Sequence, residues 1–510
     1  MYYVSPFAFG SGQTISAHAD TLSNTRQKAV GLQLHSSNKQ DNCTFVMNKI
    51  AKDKKILNMT EGRPFVLLAR FALPLLIGNL FQQLYNLADS VIVGRLLGAD
   101  PLAAVGASSS VTFLFFALCN GIGNGGGIVT AQCFGDGNTK MVKRCIINTG
   151  YVMVIFPLII GIIAFFCSKG ILTVLGTPEN IMADALAYAK TMCVGIVFVA
   201  IYNYIAAMLQ ALGDSKTPLK FLITACCINI VLDIAFIKFL NMSVIGAGIA
   251  TVIAQFISGA GCILYSLKTN EYFKFTRDDF TFDKALTVRI LKLGFPLSLQ
   301  FSLISISCMA LQFVVNSFGS VAIAAFTAVS RIEQIIHQPY GTLGTALSNY
   351  TGQNYGAKKG ERIKKGFASG MLLMLIFSLI MLPIMQLLGD DIIHLFVEDA
   401  AVIAMGGKAL RITSWFYVVL GLIYVCRGVQ NGLGDGFFAL LNGIIEIIGR
   451  FCVPIILTSM PLFGVWGIWW SVGFVWLLSG VTAWLRYVYY KKHNPVGRLQ
   501  LVQQTIDNSI

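Results

Sequence analysis

The chain has 510 residues, 55% of them hydrophobic and only 12% charged, with a mean hydropathy of +0.69. Soluble domains carry about 25% charged residues, so composition excludes an ordinary soluble enzyme or binding module. The net charge of +14 sits in short loops between apolar runs, where it reads as membrane topology rather than nucleic-acid binding.

Residues 1–58 are polar, rich in Ser, Asn and Gln, and without periodicity. They lack the basic-then-apolar layout of a secretory signal and are expected to be a disordered leader. Met59-Thr-Glu-Gly-Arg-Pro64 then runs directly into the first span, so that Met59 is an alternative start. Apolar runs long enough to cross a bilayer follow at 65–92, 101–129, 145–168, 186–209, 219–239, 245–267, 290–316, 322–350, 366–388, 409–430, 437–458 and 463–490. The expected fold is an all-α integral membrane protein of twelve transmembrane helices. Basic residues cluster after spans two, four, six and eight and after the last span, which puts both termini in the cytoplasm. The charged stretch 268–287 divides a first lobe (59–267) from a second (288–490), and 491–510 form a cytoplasmic tail.

The two halves repeat at an offset of about 221 residues. Pro74 matches Pro296, Gln132-Cys-Phe-Gly135 matches Gln353-Asn-Tyr-Gly356, and Leu212-Gly-Asp214 matches Leu433-Gly-Asp435. Six spans per half keep one orientation, so the two six-helix lobes are related by a pseudo-twofold axis along the membrane normal. Such duplication marks secondary transporters, whose substrates bind between the repeats.

The chemistry is less symmetric. Gln82, Asn86 and Asp89 share a helical face of span one, and Asn229 and Asp233 are one turn apart on span five, with Thr251 early in span six. Asp89 and Asp233 fall on Leu311 and Pro454 in the second half. A carboxylate at mid-bilayer costs at least about 2.5 kcal/mol, so both acids must face protein or water. Two acids, an amide and a hydroxyl suit coupling to H+ or Na+, either as hard oxygen ligands or as a pair whose repulsion makes one titratable. In the second half, Glu333 and His337 are spaced for a proton relay, and Glu446 and Arg450 for an intrahelical ion pair. Tyr202 and Tyr204, with Phe113, Phe115 and Phe116, are candidates to line a pocket for flat cations. The 12 cysteines have no metal-ligand spacing and read as small packing residues. No enzyme motif, cofactor motif or metal motif stands out beyond a Na+ site at Asp89, Asn229, Asp233 and Thr251.

Ala72-Leu-Pro-Leu-Leu-Ile-Gly78, Asn86-Leu-Ala-Asp-Ser-Val-Ile-Val-Gly-Arg95, Leu209-Gln-Ala-Leu-Gly-Asp-Ser-Lys-Thr-Pro218 and Gly352-Gln-Asn-Tyr-Gly356 resemble the multidrug and toxin extrusion (MATE) family over about residues 60–495. The likeness is to its DinF-like and MepA-like bacterial branch. It implies a cation-coupled antiporter of the cell membrane that exports organic cations and amphipathic drugs by alternating access, working as a monomer with no cofactor besides the coupling ion. It also implies that Asp89, Asn229, Asp233 and Thr251 hold that ion and that Pro74 is the bend of span one. The acids of the NorM-like branch, on spans seven and ten, are missing here. The alternative is a lipid-linked oligosaccharide flippase of the same superfold, against which twelve spans and buried acids both count.

Overall fold

The computed structural model describes residues 56–493; most of the expected leader, and 494–510 of the expected tail, lie outside the described residues. Thirteen α-helices occur among those described. The first lobe contains α1 (Pro64–Leu97), α2 (Ala99–Gly135), α3 (Thr139–Val174), α4 (Glu179–Ala211), α5 (Lys216–Ile234) and α6 (Val244–Thr269). The second contains α7 (Lys284–Asn316), α8 (Ser320–Gly356), α9 (Gly360–His394), α10 (Ala400–Ser414), α11 (Tyr417–Leu433), α12 (Gly436–Ser459) and α13 (Gly467–His493). The tenth expected span is broken: α10 and α11 meet at an angle of 53°. With that pair taken as one, twelve passes remain, six to a lobe.

Among the described residues, nine helical segments and the bent pair are long and apolar enough to cross a membrane. α2 and α8, which correspond in the repeat, make up the twelve. Both carry Gly, Ser, Thr, Asn and Gln where a lipid-facing helix carries Leu and Ile, because protein covers them. Gly125 of α2 lies against Gly294 of α7, and Gly121 against Ser298, so close that a Cβ at either α2 glycine would overlap the facing backbone. Small residues permit such approach between membrane helices. Ser298 Oγ donates to the Leu118 carbonyl at 2.5 Å.

The repeated motifs meet each other across the lobes. Gln132 Nε2 donates to the Gly432 carbonyl at 2.9 Å, and its repeat mate Gln353 Nε2 donates to the Ala211 carbonyl at 2.9 Å. Each acceptor lies just before the Leu-Gly-Asp motif of the opposite half. Gly213 and Gly434 of those motifs both have φ +88, the left-handed conformation that ends a helix and favours glycine. The aspartate that follows opens the next helix. Asp214 accepts from the Thr217 N–H at 2.9 Å and Asp435 from the Phe438 N–H at 3.2 Å. Gly135 packs on the Gln353 carbonyl and Gly356 on the Gln132 carbonyl, so the contact is reciprocal.

Two boundaries differ from expectation. The chain is already fastened from Leu57, whose N–H donates to the Gly213 carbonyl at 3.3 Å. Met59 is fully buried; its N–H donates to Gln353 Oε1 at 2.9 Å, and its carbonyl accepts from Asn354 Nδ2 at 3.0 Å. Arg362 adds bonds to the Met59 and Gly62 carbonyls. Leu67, Leu68 and Phe71 of α1 belong to the second lobe's hydrophobic core, with Tyr340, Tyr350 and Phe367. Residues 59–71 therefore pack with the second lobe although they precede the first. The interlobe linker is also shorter than 268–287, since α6 runs to Thr269 and α7 begins at Lys284. Fully buried Asn148 of α3 accepts from the Asp283 N–H at 2.8 Å and donates to the Thr281 carbonyl at 3.2 Å, drawing the linker onto the first lobe. Burial opposes ionisation of Asp279 in that linker, but donation from Thr276 and the nearby Lys143 and Arg144 outweigh it and hold the carboxyl below its ordinary range.

A methyl group at the reciprocal glycines has nowhere to go. Gly135→Ala and Gly356→Ala should each cost about 1–3 kcal/mol and lower the thermal midpoint in detergent. Gly170→Ala, where the added atom meets nothing within 4 Å, should leave the midpoint unchanged or raise it.

Candidate ion-coupling site

The second half of α1 turns to the first lobe. Gly78 lies against Leu219 and Leu222 of α5, and two turns further on Tyr85 and Asp89 approach α5 and α6. Asp89 is 9% exposed, Thr251 is 8% exposed, and Asn229 and Asp233 are fully buried. Asp89 and Asp233 lie within electrostatic reach of each other. Asn229 Nδ2 donates to Thr251 Oγ1 at 3.3 Å, and the Tyr85 hydroxyl is 3.2 Å from the same oxygen. The four residues singled out from sequence are thus neighbours in space. Gln82 and Asn86, on the same sector of α1, are exposed.

The inventory of donors defines what this cluster needs. Asp89 Oδ1, Asn229 Oδ1, both carboxylate oxygens of Asp233 and, one turn along α6, Gln255 Oε1 are buried without a hydrogen-bond partner. All are oxygen acceptors. No ion pair among the described residues includes Asp89 or Asp233. Two carboxylates about 4 Å apart repel by about 4 kcal/mol even at an effective dielectric near 20. A shared proton or a small hard cation removes that repulsion and supplies the missing partner.

Sequence reasoning missed three parts of this arrangement. Tyr85 is one turn before Asp89, and Tyr188 of α4 is buried within electrostatic reach of both acids. Neither stands out among the chain's 17 tyrosines. A five-residue π-helical turn, Ala235–Phe239, begins two residues after Asp233. Such turns are rare and recur at functional sites, and no local sequence signal marks this one. Of the expected aromatic set, Phe115, Phe116 and Tyr204 share one packed cluster, where the Tyr204 hydroxyl donates to the Ile146 carbonyl at 2.6 Å, while Tyr202 lies in another and donates to the Pro218 carbonyl at 3.2 Å. Phe115 is buried while Phe113 is exposed.

The MatE family profile matches residues 74–235 and 296–453, one block in each half, starting at the paired prolines. The chain belongs to the MATE family. Probable multidrug resistance protein YpnP of Bacillus subtilis is 31% identical over 442 residues, covering 85% of this chain and 97% of the relative. Multidrug export protein MepA of Staphylococcus saprophyticus is 22% identical over 459 residues, covering 89% and 100%. A MOP superfamily transporter from Pyrococcus furiosus superposes with a TM-score of 0.78 at 25% identity, over 84% of this chain and 96% of that one. A MATE crystal structure in a straight conformation gives 0.79 at 24% identity, over 85% and 98%, and shows the fold.

The second lobe of this MATE protein holds a different set of charges. Glu446 does pair with Arg450 one turn on, at 3.8 Å, but its closer partner is Arg427 of α11, which sequence spacing did not reveal. Arg427 Nε donates to Asn442 Oδ1 at 2.5 Å, and Ser479 Oγ to Glu446 Oε1 at 3.3 Å. Glu333 and His337, the expected relay, share no hydrogen bond; Glu333 Oε1 and His337 Nε2 lack partners. His337 instead packs edge-on against Tyr424 and tilted against Trp476, with ring centroids 6.3 and 5.5 Å away.

Tyr85→Phe removes one neutral hydrogen bond worth about 0.5–1.5 kcal/mol, so ion affinity should fall roughly two- to tenfold in an equilibrium binding assay. Glu446→Gln leaves two buried guanidinium groups without their carboxylate and should destabilise the fold by about 3–5 kcal/mol, read as a lower thermal midpoint.

Proposed function

We propose that this protein is a multidrug exporter of the cell membrane that exchanges organic cations for H+ or Na+ bound at Asp89 and Asp233. The observation that carries the reading is the pair of buried carboxyl groups within electrostatic reach of each other, among acceptor oxygens that lack a donor and without a basic partner. The names of the relatives, a probable multidrug resistance protein and a multidrug export protein, favour the same substrate class.

In this reading Asp89 and Asp233 accept the ion together, while Asn229 and Thr251 orient it and Tyr85 holds Thr251. Loss of the ion leaves two negative charges on facing helices, which repel and drive α1 away from α5. Pro74 is buried between the part of α1 that packs on the second lobe and the part that carries Asp89. A proline there weakens the helical ladder and offers a bend through which the motion reaches the interface. Asn79, just beyond it, donates to Thr342 Oγ1 of α8 at 3.0 Å and ties the moving segment to the other lobe. The close interlobe contacts lie near the basic loops, so with those loops in the cytoplasm the seam closes the cytoplasmic side. Both termini are then cytoplasmic, and one chain contains the whole site and works as a monomer.

The test is uptake of a fluorescent organic cation into everted membrane vesicles under an imposed pH or Na+ gradient. Uptake driven by one gradient, and reduced to the level of empty vesicles in Asp89→Asn and in Asp233→Asn at equal expression, is expected. Full transport by both variants would remove the acids from the mechanism. Uptake driven by neither gradient would reject antiport.

A further inference from the structure

Each lobe places two acids within its spans, Asp89 and Asp233 in the first and the half-buried Glu333 with buried Glu446 in the second, but with opposite provision for them. In the first lobe Asp89 and Asp233 have no basic partner; the titratable groups facing them are Tyr85 and Tyr188. In the second, Glu446 lies between Arg427 and Arg450, and Glu333 lies within electrostatic reach of Arg450. Tyr417 faces Glu333, and His337, Tyr424 and Cys308 complete the surroundings of Arg450, whose Nη1 is 2.8 Å from Cys308 Sγ. These side chains are screened from solvent: Arg427 is 12% exposed, Arg450 11% and Glu446 4%.

The repeat register gives that difference a meaning. At the offset of 221 that aligns Gln132 with Gln353, Asn229 aligns with Arg450. The residue that stands beside the ion in the first lobe is replaced in the second by a guanidinium. We infer that the second lobe is an internally neutralised counterpart of the ion site, in which Arg450, with Arg427, is a tethered cation that keeps the lobe from binding a coupling ion of its own. This rests on the reading of Asp89 and Asp233 as the coupling pair.

Charge accounting supports it. Glu333, Glu446, Arg427 and Arg450 sum to zero, whereas Asp89 and Asp233 sum to minus two. A low-dielectric interior tolerates the first set as it stands and requires an added cation for the second. Neutralising Arg450 leaves two acids facing one guanidinium, so one proton or one small cation must enter. Arg450 thereby sets how many cations the transporter exchanges, without itself touching the exchanged ion.

The experiment uses the purified full chain, with bound radiolabelled Na+ and the infrared band of protonated carboxyl groups as readouts. In wild type, one or the other signal should be present, and the double substitution Asp89→Asn with Asp233→Asn should abolish it. Adding Arg450→Gln to that double variant should restore one site per chain, as bound Na+ or as a protonated carboxyl; adding Arg450→Lys, which keeps a tethered charge, should restore none. A site that survives the double substitution with Arg450 intact overturns the inference, and this arm decides even if Arg450→Gln does not fold. No new site in a folded Arg450→Gln background also overturns it. If wild type itself holds no cation sensitive to the two aspartate substitutions, the ion-site reading fails first, and the two failures are told apart.

Discussion

A helix that ends inside a membrane protein leaves carbonyl oxygens that need donors, and that constraint holds the two halves together. The carbonyls of Ala211 and Gly432 are at the ends of equivalent helices, and in each case the donor is a glutamine amide from the opposite repeat. Water is unavailable to replace it at low cost in such a packed seam. Gly135 and Gly356 let each glutamine backbone come within reach. The lobes therefore meet both by completing each other's secondary structure and by the close packing of α2 on α7. Each such bond depends on one glutamine amide and one facing glycine, so few residues set the fit of the seam.

α1 converts that seam into a mechanical connection. Its first turns are part of the second lobe's core, and its later turns carry Asp89 into the first lobe. A change of charge at Asp89 thus acts on a helix whose base is anchored elsewhere. Were α1 packed wholly within one lobe, ion binding would alter that lobe alone. Pro74 and Gly78 stand where the helix changes sides, which concentrates bending there. The segment from Leu57 to Gly62 ties the base of the lever to both lobes through backbone groups.

Much of this was legible in the sequence, because membrane spans are governed by length and hydropathy and a duplication doubles every signal. The repeated Gln-x-x-Gly and Leu-Gly-Asp motifs were visible as pairs; that they contact one another across the seam was not, since spacing along a chain carries no information about partners 300 residues away. Asp89 and Asp233 were conspicuous as intramembrane acids. Tyr85 was not, because one tyrosine among many aromatics has no mark until its hydroxyl is seen 3.2 Å from Thr251. Glu446 and Arg450 were read as an intrahelical pair because helical periodicity reveals partners one turn away. It is blind to Arg427, which arrives from another helix. The break between α10 and α11 follows no Pro or Gly, and the π-helical turn after Asp233 has no local signature either.

The polarity of α2 and α8 bears on how the protein is made. The stretch of α2 from Asn120 to Gln132 and much of α8 are rich in Gly, Asn, Gln and Thr, and transfer of such segments into lipid is poorly favoured while those groups have no protein to meet. Each is preceded in the chain by a strongly apolar helix, α1 or α7, which reaches the bilayer first and offers a surface to pair with. Yet the most extensive partners of α2 are α4, two helices later, and α7, five helices later. Biogenesis must therefore shelter a half-satisfied helix until α4 is made, and its other face until α7 is made. The same glycines that let the finished lobes approach make the nascent first half dependent on the second.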